Sequence, residues 1–328
     1  MIDRAYGSLL GAAIGDAMGM PASFMSPEEI NRIYGKITDF LKPAEEQIAH
    51  GSLKQGEITD DTEESLIISS VLIEAKRFDV DLFIKKMRNW AIERKMLEST
   101  VIGPSTRRFL EAIISGKDYK EVGKKGDTNG GAMRAMPIGI FNHGNIDKAV
   151  EDAIQSALPS HGSKPGVAST CAVAAAVAAG VEGGYTVKEV MEKALYAARR
   201  GEEAGFDIPA PSVAARIQLA MDIVDKNRSK SLEDICYELY RYIGSDMKSY
   251  ESIPLSLGIF YAAQGDAGKG IIAAVNVGND ADTNASITGG ICGAYSGTKY
   301  LKESWIEEIK ARNKIDFIKI AKDLLMLS

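Results

Sequence analysis

Two short clusters of carboxylates and hydroxyls are the residues whose types and spacing could do chemistry. The first is Thr59-Asp60-Asp61-Thr62-Glu63-Glu64, between a polar stretch and an apolar helical pattern. The second is Gly278-Asn279-Asp280-Ala281-Asp282-Thr283-Asn284, which precedes a predicted helix of small residues over Ala285–Gly297. Helix capping offers one explanation of the first cluster, with Asp61 as N-cap and Glu64 as its capping-box partner. Capping uses one acid, however, and leaves the second carboxylate and the threonine of the second cluster unexplained.

The two clusters together predict a site for hard cations. Both supply oxygen donors without His or Cys, a donor set that suits Mg²⁺ or Mn²⁺. Two such ions about 3.5–4 Å apart can share bridging carboxylates and a bridging water. Four aspartates that converged without a cation would repel one another, and some would be forced to take up protons.

Three other acidic motifs fit less well. An EF-hand beginning at Asp280 would need Gly where Ala285 stands and Glu where Ile291 stands. An aspartyl phosphatase would need an apolar strand where Gly278-Asn279 precedes the acid. The motif Asp60-Asp61-x-x-Glu64 suits the diphosphate site of an isoprenoid synthase, but the second cluster is on a predicted loop and aromatic residues are sparse.

Composition restricts the class of protein. The chain has 328 residues, 45% of them hydrophobic and 26% charged, which is ordinary for a soluble globular protein. The net charge is -6 and no basic stripe is visible, which argues against nucleic acid as a partner. The Ala-rich stretch Val167–Gly180 is shorter than a membrane span of ~20 residues, so we expect a buried helix and no membrane. Three widely spaced cysteines and no signal peptide predict a reducing cytoplasm.

The elements that must position the clusters are helices. Apolar residues recur with a 3.6-residue period in most segments, for example over 62–77 and again in the segment that contains Trp90. The sequence lacks the sustained alternation of apolar and polar residues that would predict a strand. The polar segment 35–58 predicts a long loop or a lid. We therefore expect a single all-α domain over residues 1–328.

Five motifs, in order, resemble those of the ADP-ribosylglycohydrolase family, which includes the dinitrogenase-reductase-activating glycohydrolase. The resemblance spans most of the chain. The motifs are Gly7 to Pro21 (GSLLGAAIGDAMGMP), Thr59-Asp60-Asp61-Thr62, Asn129-Gly130-Gly131-Ala132-Met133-Arg134-x-x-Pro137, Ser160-His161, and Gly278-x-Asp280-x-Asp282-Thr283.

This resemblance implies a fold, a ligand set and a substrate. The fold would be one compact orthogonal helical bundle with a central cleft for two metal ions. The expected metal ligands are Thr59, Asp60, Asp61, Asp280, Asp282 and Thr283. The expected substrate-binding residues are Asn129, Gly130, Gly131, Met133 and His161.

The chain departs from the family pattern at two positions. Family hydrolases commonly carry a Glu where Ser23 stands, and a serine is no general base at neutral pH unaided. Asp127 precedes Asn129 in a stretch that is Gly-rich in relatives, where backbone N–H groups can cradle a diphosphate. A carboxylate there predicts a smaller or less anionic substrate than an ADP-ribosylated protein. We include both residues in the expected substrate site.

Other polar residues have simpler interpretations. Asp16 is inside a predicted apolar helix, and this position predicts that its side chain makes a structural hydrogen bond. Arg134 is expected to anchor its loop or meet a carboxylate. His50 and His143 are expected in surface loops.

The function that these features predict is magnesium-dependent hydrolysis of an N-glycosidic bond to ribose. Either Asp60 or Asp282 would take the proton of the attacking water. The substrate would be a small molecule or an ADP-ribosylated side chain. The alternatives are a hydrolase of a smaller N-ribosyl compound and a non-catalytic ADP-ribose-binding protein. The leaving group, the general acid and the oligomeric state stay open.

Overall fold

Helices make up nearly the whole molecule. The computed structural model describes residues 1–327, and within them about 70% of the chain is helical and no sheet forms. The all-α prediction is therefore confirmed. The α-helices, in chain order, are Ile2–Gly19 (α1), Pro27–Tyr34 (α2), Asp60–Ala75 (α3), Val80–Glu93 (α4), Pro104–Ser115 (α5), Tyr119–Gly123 (α6), Gly130–Met133 (α7), Met136–Phe141 (α8), Ile146–His161 (α9), Lys164–Glu182 (α10), Val187–Ala204 (α11), Val213–Lys226 (α12), Leu232–Ile243 (α13), Ser249–Ala262 (α14), Ala267–Asn276 (α15), Ala281–Ser296 (α16), Glu303–Asn313 (α17) and Phe317–Met326 (α18).

The central pair of helices, α1 and α16, is packed backbone to backbone. Glycine recurs at every fourth position of α1, so one face of that helix has no side chains. A Cβ added to Gly15 would lie 2.1 Å from the carbonyl oxygen of Ala285, and one added to Gly11 would lie 2.2 Å from that of Gly289. Because the two helices approach this closely, Asp16 of α1 lies near the first turn of α16.

Both clusters lie at helix N-termini, but the helices begin elsewhere than expected. The N-cap of α3 is Thr59, whose side chain accepts from the Asp61 N–H at 3.3 Å, so the prediction of Asp61 as N-cap is wrong. Glu64 makes no capping box because its carboxylate turns inward to Arg134. Helix α16 begins at Ala281, four residues earlier than predicted. Acids in the first turn are compatible with helix, since they face the positive end of the helix dipole.

Two further predictions on local structure are confirmed. No helix forms between Tyr34 and Asp60, so segment 35–58 is a long connection. Helix α10 contains the predicted Ala-rich helix and is long and apolar enough to cross a membrane, but 94% of its apolar window is buried in the protein. It is therefore packed like the core helix of a globular protein. Most of the buried apolar residues of the described chain form one continuous core.

Candidate active site

The two acidic clusters meet in the folded chain. The hydroxyl of Thr283 donates to Asp61 Oδ2 at 3.2 Å, and that of Thr59 lies 3.3 Å from the same oxygen. The first turns of α3 and α16 thus form the two sides of one cavity of about 40 Å³. The residues that line this cavity are Phe24, His50, Asp60, Asp61, Val101, Gly103, Thr106, Thr128, Asn129, Gly130, Met133, Met247, Asp280, Asp282 and Thr283.

The carboxylates of the cavity are buried and crowded. Burial, and then the charges of neighbouring carboxylates, raise the pKa values of Asp60 and Asp61 well above the ordinary range. Burial together with the charge of Asp282 raises the pKa of Asp280 to about 7. The protein therefore surrounds these acids with too little positive charge to compensate them.

This donor set fits a hard cation in its chemistry. Asp61 Oδ1 and Asp282 Oδ1 are buried and have no hydrogen-bond partner, as a carboxylate oxygen kept for a metal would be. As the side chains of residues 1–327 stand, however, no three His, Cys, Asp or Glu groups converge on one point to hold a metal. The two-metal centre therefore stays a prediction.

Asp16 holds the first cluster in place through hydrogen bonds. Its carboxylate accepts from the Thr59 N–H at 3.0 Å, from the Thr62 N–H at 3.2 Å and from the Thr62 hydroxyl at 2.5 Å. Burial raises the pKa of Asp16 to about 6, although these hydrogen bonds oppose the shift. The prediction of a structural hydrogen bond is confirmed.

The Asn129 loop, residues 124–129 between α6 and α7, faces the second cluster. The Asn129 amide Nδ2 donates to Asp280 Oδ2 at 2.5 Å and to the Ser252 hydroxyl at 2.9 Å. Gly130 and Met133 line the cavity beside it. Gly131 does not, because it is turned toward the interior, where a Cβ would lie 2.5 Å from Thr170 Oγ1.

His161 supports the Asn129 loop from behind. It is fully buried and does not line the cavity. Its Nδ1 lies 2.8 Å from the Ser160 hydroxyl and its Nε2 lies 3.2 Å from that of Thr128. Burial, and then the charges of Arg134 and Arg108, lower its pKa well below the usual value, so the ring is neutral. In this position His161 reaches a substrate only through the loop.

His50 was missed by sequence reasoning. The prediction of a surface histidine is wrong: the side chain is 2% exposed, and its Nε2 lies 3.0 Å from Asp282 Oδ2. Burial lowers the pKa of His50, but Asp282 outweighs it and the pKa ends above the usual value. Burial raises the pKa of Asp282, and the hydrogen bond and charge of His50 bring it below the usual value. The only sequence signal was the position of His50 in the loop before the first cluster.

Ser23 and Asp127 lie outside the cavity lining. Ser23 is buried, and its hydroxyl donates to the Gly19 carbonyl at 3.4 Å. The Asp127 carboxylate pairs with Lys248 Nζ at 2.6 Å and is partly exposed. Because Lys248 compensates its charge, the expected repulsion of a diphosphate by Asp127 is weaker than the sequence implied. A substrate contact by either residue stays a prediction.

Comparisons with known proteins identify the family. The model of the ADP-ribosylglycohydrolase family matches residues 1–328. The chain is 29% identical to the protein YegU of Escherichia coli (strain K12), over 97% of this chain and 95% of that protein. It is 26% identical to the ADP-ribosyl-[dinitrogen reductase] glycohydrolase of Rhodospirillum rubrum, over 94% and 90% of the two chains.

A solved structure supports the same fold. An ADP-ribosylglycohydrolase-related protein complex superposes with a TM-score of 0.73 at 21% identity, over 100% of this chain and 98% of that one. At 21% sequence identity, this structural similarity supports the fold alone. With the family model matched from end to end and the family's motifs gathered around one cavity, the chain belongs to the ADP-ribosylglycohydrolase family of hydrolases.

Proposed function

We propose that this protein is a magnesium-dependent hydrolase that removes ADP-ribose from a modified side chain or small molecule by cleaving an N-glycosidic bond. The observation that carries the proposal is the buried group of undercompensated carboxylates facing the Asn129 loop. Such a site favours the positive charge that develops at the anomeric carbon in an oxocarbenium-like transition state.

The residues around the cavity have separate roles in this proposal. Two Mg²⁺ or Mn²⁺ ions held by the six predicted oxygen ligands would supply Lewis acidity and a water of lowered pKa. The Asn129 amide holds Asp280 and orients that side of the cavity. Because Asp282 already accepts a hydrogen bond from His50, we assign acceptance of the proton of the attacking water to Asp60.

A smaller N-ribosyl substrate is the second candidate. The cavity volume of about 40 Å³ is far below the roughly 300–1,000 Å³ of ordinary ligand pockets. In the part of the chain that the structure describes, no Lys or Arg lines the cavity to receive a phosphate. ADP-ribose would therefore have to place only part of its ribose inside and extend past Phe24, which is 49% exposed at the mouth.

Turnover on a substrate panel tests the proposal. Purified protein is incubated with ADP-ribosyl-arginine and with N-ribosyl compounds that lack the diphosphate, each with Mg²⁺, with Mn²⁺ and with a chelator. Release of ADP-ribose that needs the metal is the expected result. Preference for the compounds without diphosphate would support the second candidate. Absence of turnover on every compound, with ADP-ribose still bound, would support a non-catalytic binding protein.

We also propose a cytoplasmic location. Cys171, Cys236 and Cys292 are all unpaired and buried. Free thiols are typical of reducing compartments.

A further inference from the structure

Residues 44–53, which we call the strap, contact residues 20–23 after α1 and bring His50 to the cavity. The Tyr34 hydroxyl accepts from the Ala44 N–H at 2.7 Å, and the Thr100 hydroxyl donates to the Ala49 carbonyl at 2.9 Å, but the buried attachment is Gln47. Gln47 is 4% exposed, and its Nε2 lies 2.9 Å from the carbonyl oxygen of Ser23, with the carbonyls of Met20 and Pro21 at 3.3 and 3.1 Å. Its Oε1 accepts from the Ala49 N–H at 3.0 Å, which folds the strap back on itself. This buried amide thereby ties the irregular segment to residues 20–23, which directly follow α1.

The strap delivers His50 to the cavity. Its Nε2 lies 3.0 Å from Asp282 Oδ2, and its ring stacks on Phe24 with centroids 6.4 Å apart and an interplanar angle of 22°. The other ring nitrogen, Nδ1, is buried and has no hydrogen-bond partner within residues 1–327. The ring is therefore held by Asp282 on one side and Phe24 on its face.

Asp282 is the carboxylate on which the strap and the end of α1 converge. His50 Nε2 lies 3.0 Å from its Oδ2, and the Gln47 amide of the same strap binds the Ser23 carbonyl after α1. With Oδ2 held by His50, Oδ1 is the oxygen left without a partner.

We propose that His50 is a positioning residue. Its Nε2–H donates to Asp282 Oδ2 and holds the carboxylate in one orientation, which leaves Oδ1 available to the cavity. Gln47 acts through His50 by holding the strap in place. The expected loss of kcat/KM on substitution of His50 rests on the proposed function, whereas the expected change in the Asp282 conformer does not. No proton transfer by His50 is part of the inference.

Two substitutions separate positioning from simple packing. The amide nitrogen of Gln can reach nearly as far as Nε2 of His, whereas that of Asn is too short. In crystal structures, His50→Gln should keep the Asp282 conformer of the unsubstituted protein, while His50→Asn and His50→Ala should release it. An unchanged Asp282 conformer in His50→Asn and His50→Ala would overturn the inference, whether or not the protein turns over any substrate.

The kinetic arm uses the best substrate of the panel. We expect kcat/KM to fall at least tenfold in His50→Ala and His50→Asn, about 1.4 kcal/mol, and less than about threefold in His50→Gln. Gln47→Ala should give an intermediate loss with His50 intact. The matched control is His143→Asn, since within residues 1–327 the His143 side chain bonds only to the Ile140 carbonyl and does not line the cavity. Equal losses in all three His50 variants would contradict the positioning role. Absence of turnover in the unsubstituted protein would instead contradict the proposed function.

Discussion

Arg134 Nη1 lies 2.7 Å from Glu64 Oε2, and both side chains are completely buried. Arg134 also donates to the Ser160 hydroxyl at 2.7 Å and packs over the ring of Phe83. The pair therefore joins α3, which carries the first acidic cluster, to the loop that carries Asn129. The prediction that Arg134 meets a carboxylate is confirmed.

Breaking this pair should destabilise the fold strongly. Removing one partner of a buried ion pair leaves the other charge uncompensated and costs roughly 3–5 kcal/mol. We expect Arg134→Met to lower the free energy of unfolding by that amount in urea titrations. The control is Lys36→Met, which removes an exposed pair with Glu233 and should cost less than about 1 kcal/mol. Similar small losses in both variants would show that Glu64 finds another partner.

Replacing Asp61 with Asn should separate charge repulsion from metal binding. Burial, and then the charges of neighbouring carboxylates, raise the pKa of Asp61, so its neutral analogue removes a costly buried charge when no metal is bound. In chelator, Asp61→Asn should melt at the same temperature as the unsubstituted protein or higher. With Mg²⁺ at 100 times its Kd, the unsubstituted protein should gain about 2.7 kcal/mol and the variant much less. An equal gain in both proteins would remove Asp61 from the ligand set.

His161 should make the protein sensitive to mild acid. Its pKa is lowered in the folded chain by burial, so the unfolded chain alone takes up this proton as pH falls through ~6.5. Stability from this group is therefore lost below pH ~6.5, by up to about 1.4 kcal/mol per pH unit. His161→Gln has no such proton. Urea unfolding of both proteins between pH 7.5 and 5.5 should show the free energy of unfolding of the unsubstituted protein falling relative to that of the variant. A constant difference between the two free energies would contradict the neutral ring.

The glycine face of α1 should tolerate no side chain. Alanine at Gly15 would press its Cβ against the Ala285 carbonyl, and overpacking of this kind costs about 1–3 kcal/mol. Gly15→Ala should therefore lower the unfolding midpoint and, by moving Asp16, weaken metal binding. Gly103→Ala is the control for the unfolding midpoint, since a Cβ there meets nothing within 4 Å. It is not a control for metal binding, because Gly103 lines the cavity. Equal midpoints for the two variants would mean that α1 and α16 separate easily.

Much of this site could be predicted from local sequence. Helices repeat every 3.6 residues and acids gather at their N-termini, so periodicity and the motifs around Asp60 and Asp282 predicted the helices and the clusters. Asn129, Gly130 and Met133 could be placed at the site through their motif. Arg134 could be given a carboxylate partner because a buried cation needs one.

Only the tertiary structure decided the partners of isolated polar residues. His50 is in a segment without periodicity, so nothing local indicates that Gln47 turns it inward to Asp282. His161 has a family motif around it, yet it is the packing of Gly130 against its ring that places it behind the loop. Such placements depend on contacts between distant parts of the chain, and a sequence pattern carries the type of a side chain but not the direction in which an irregular segment presents it.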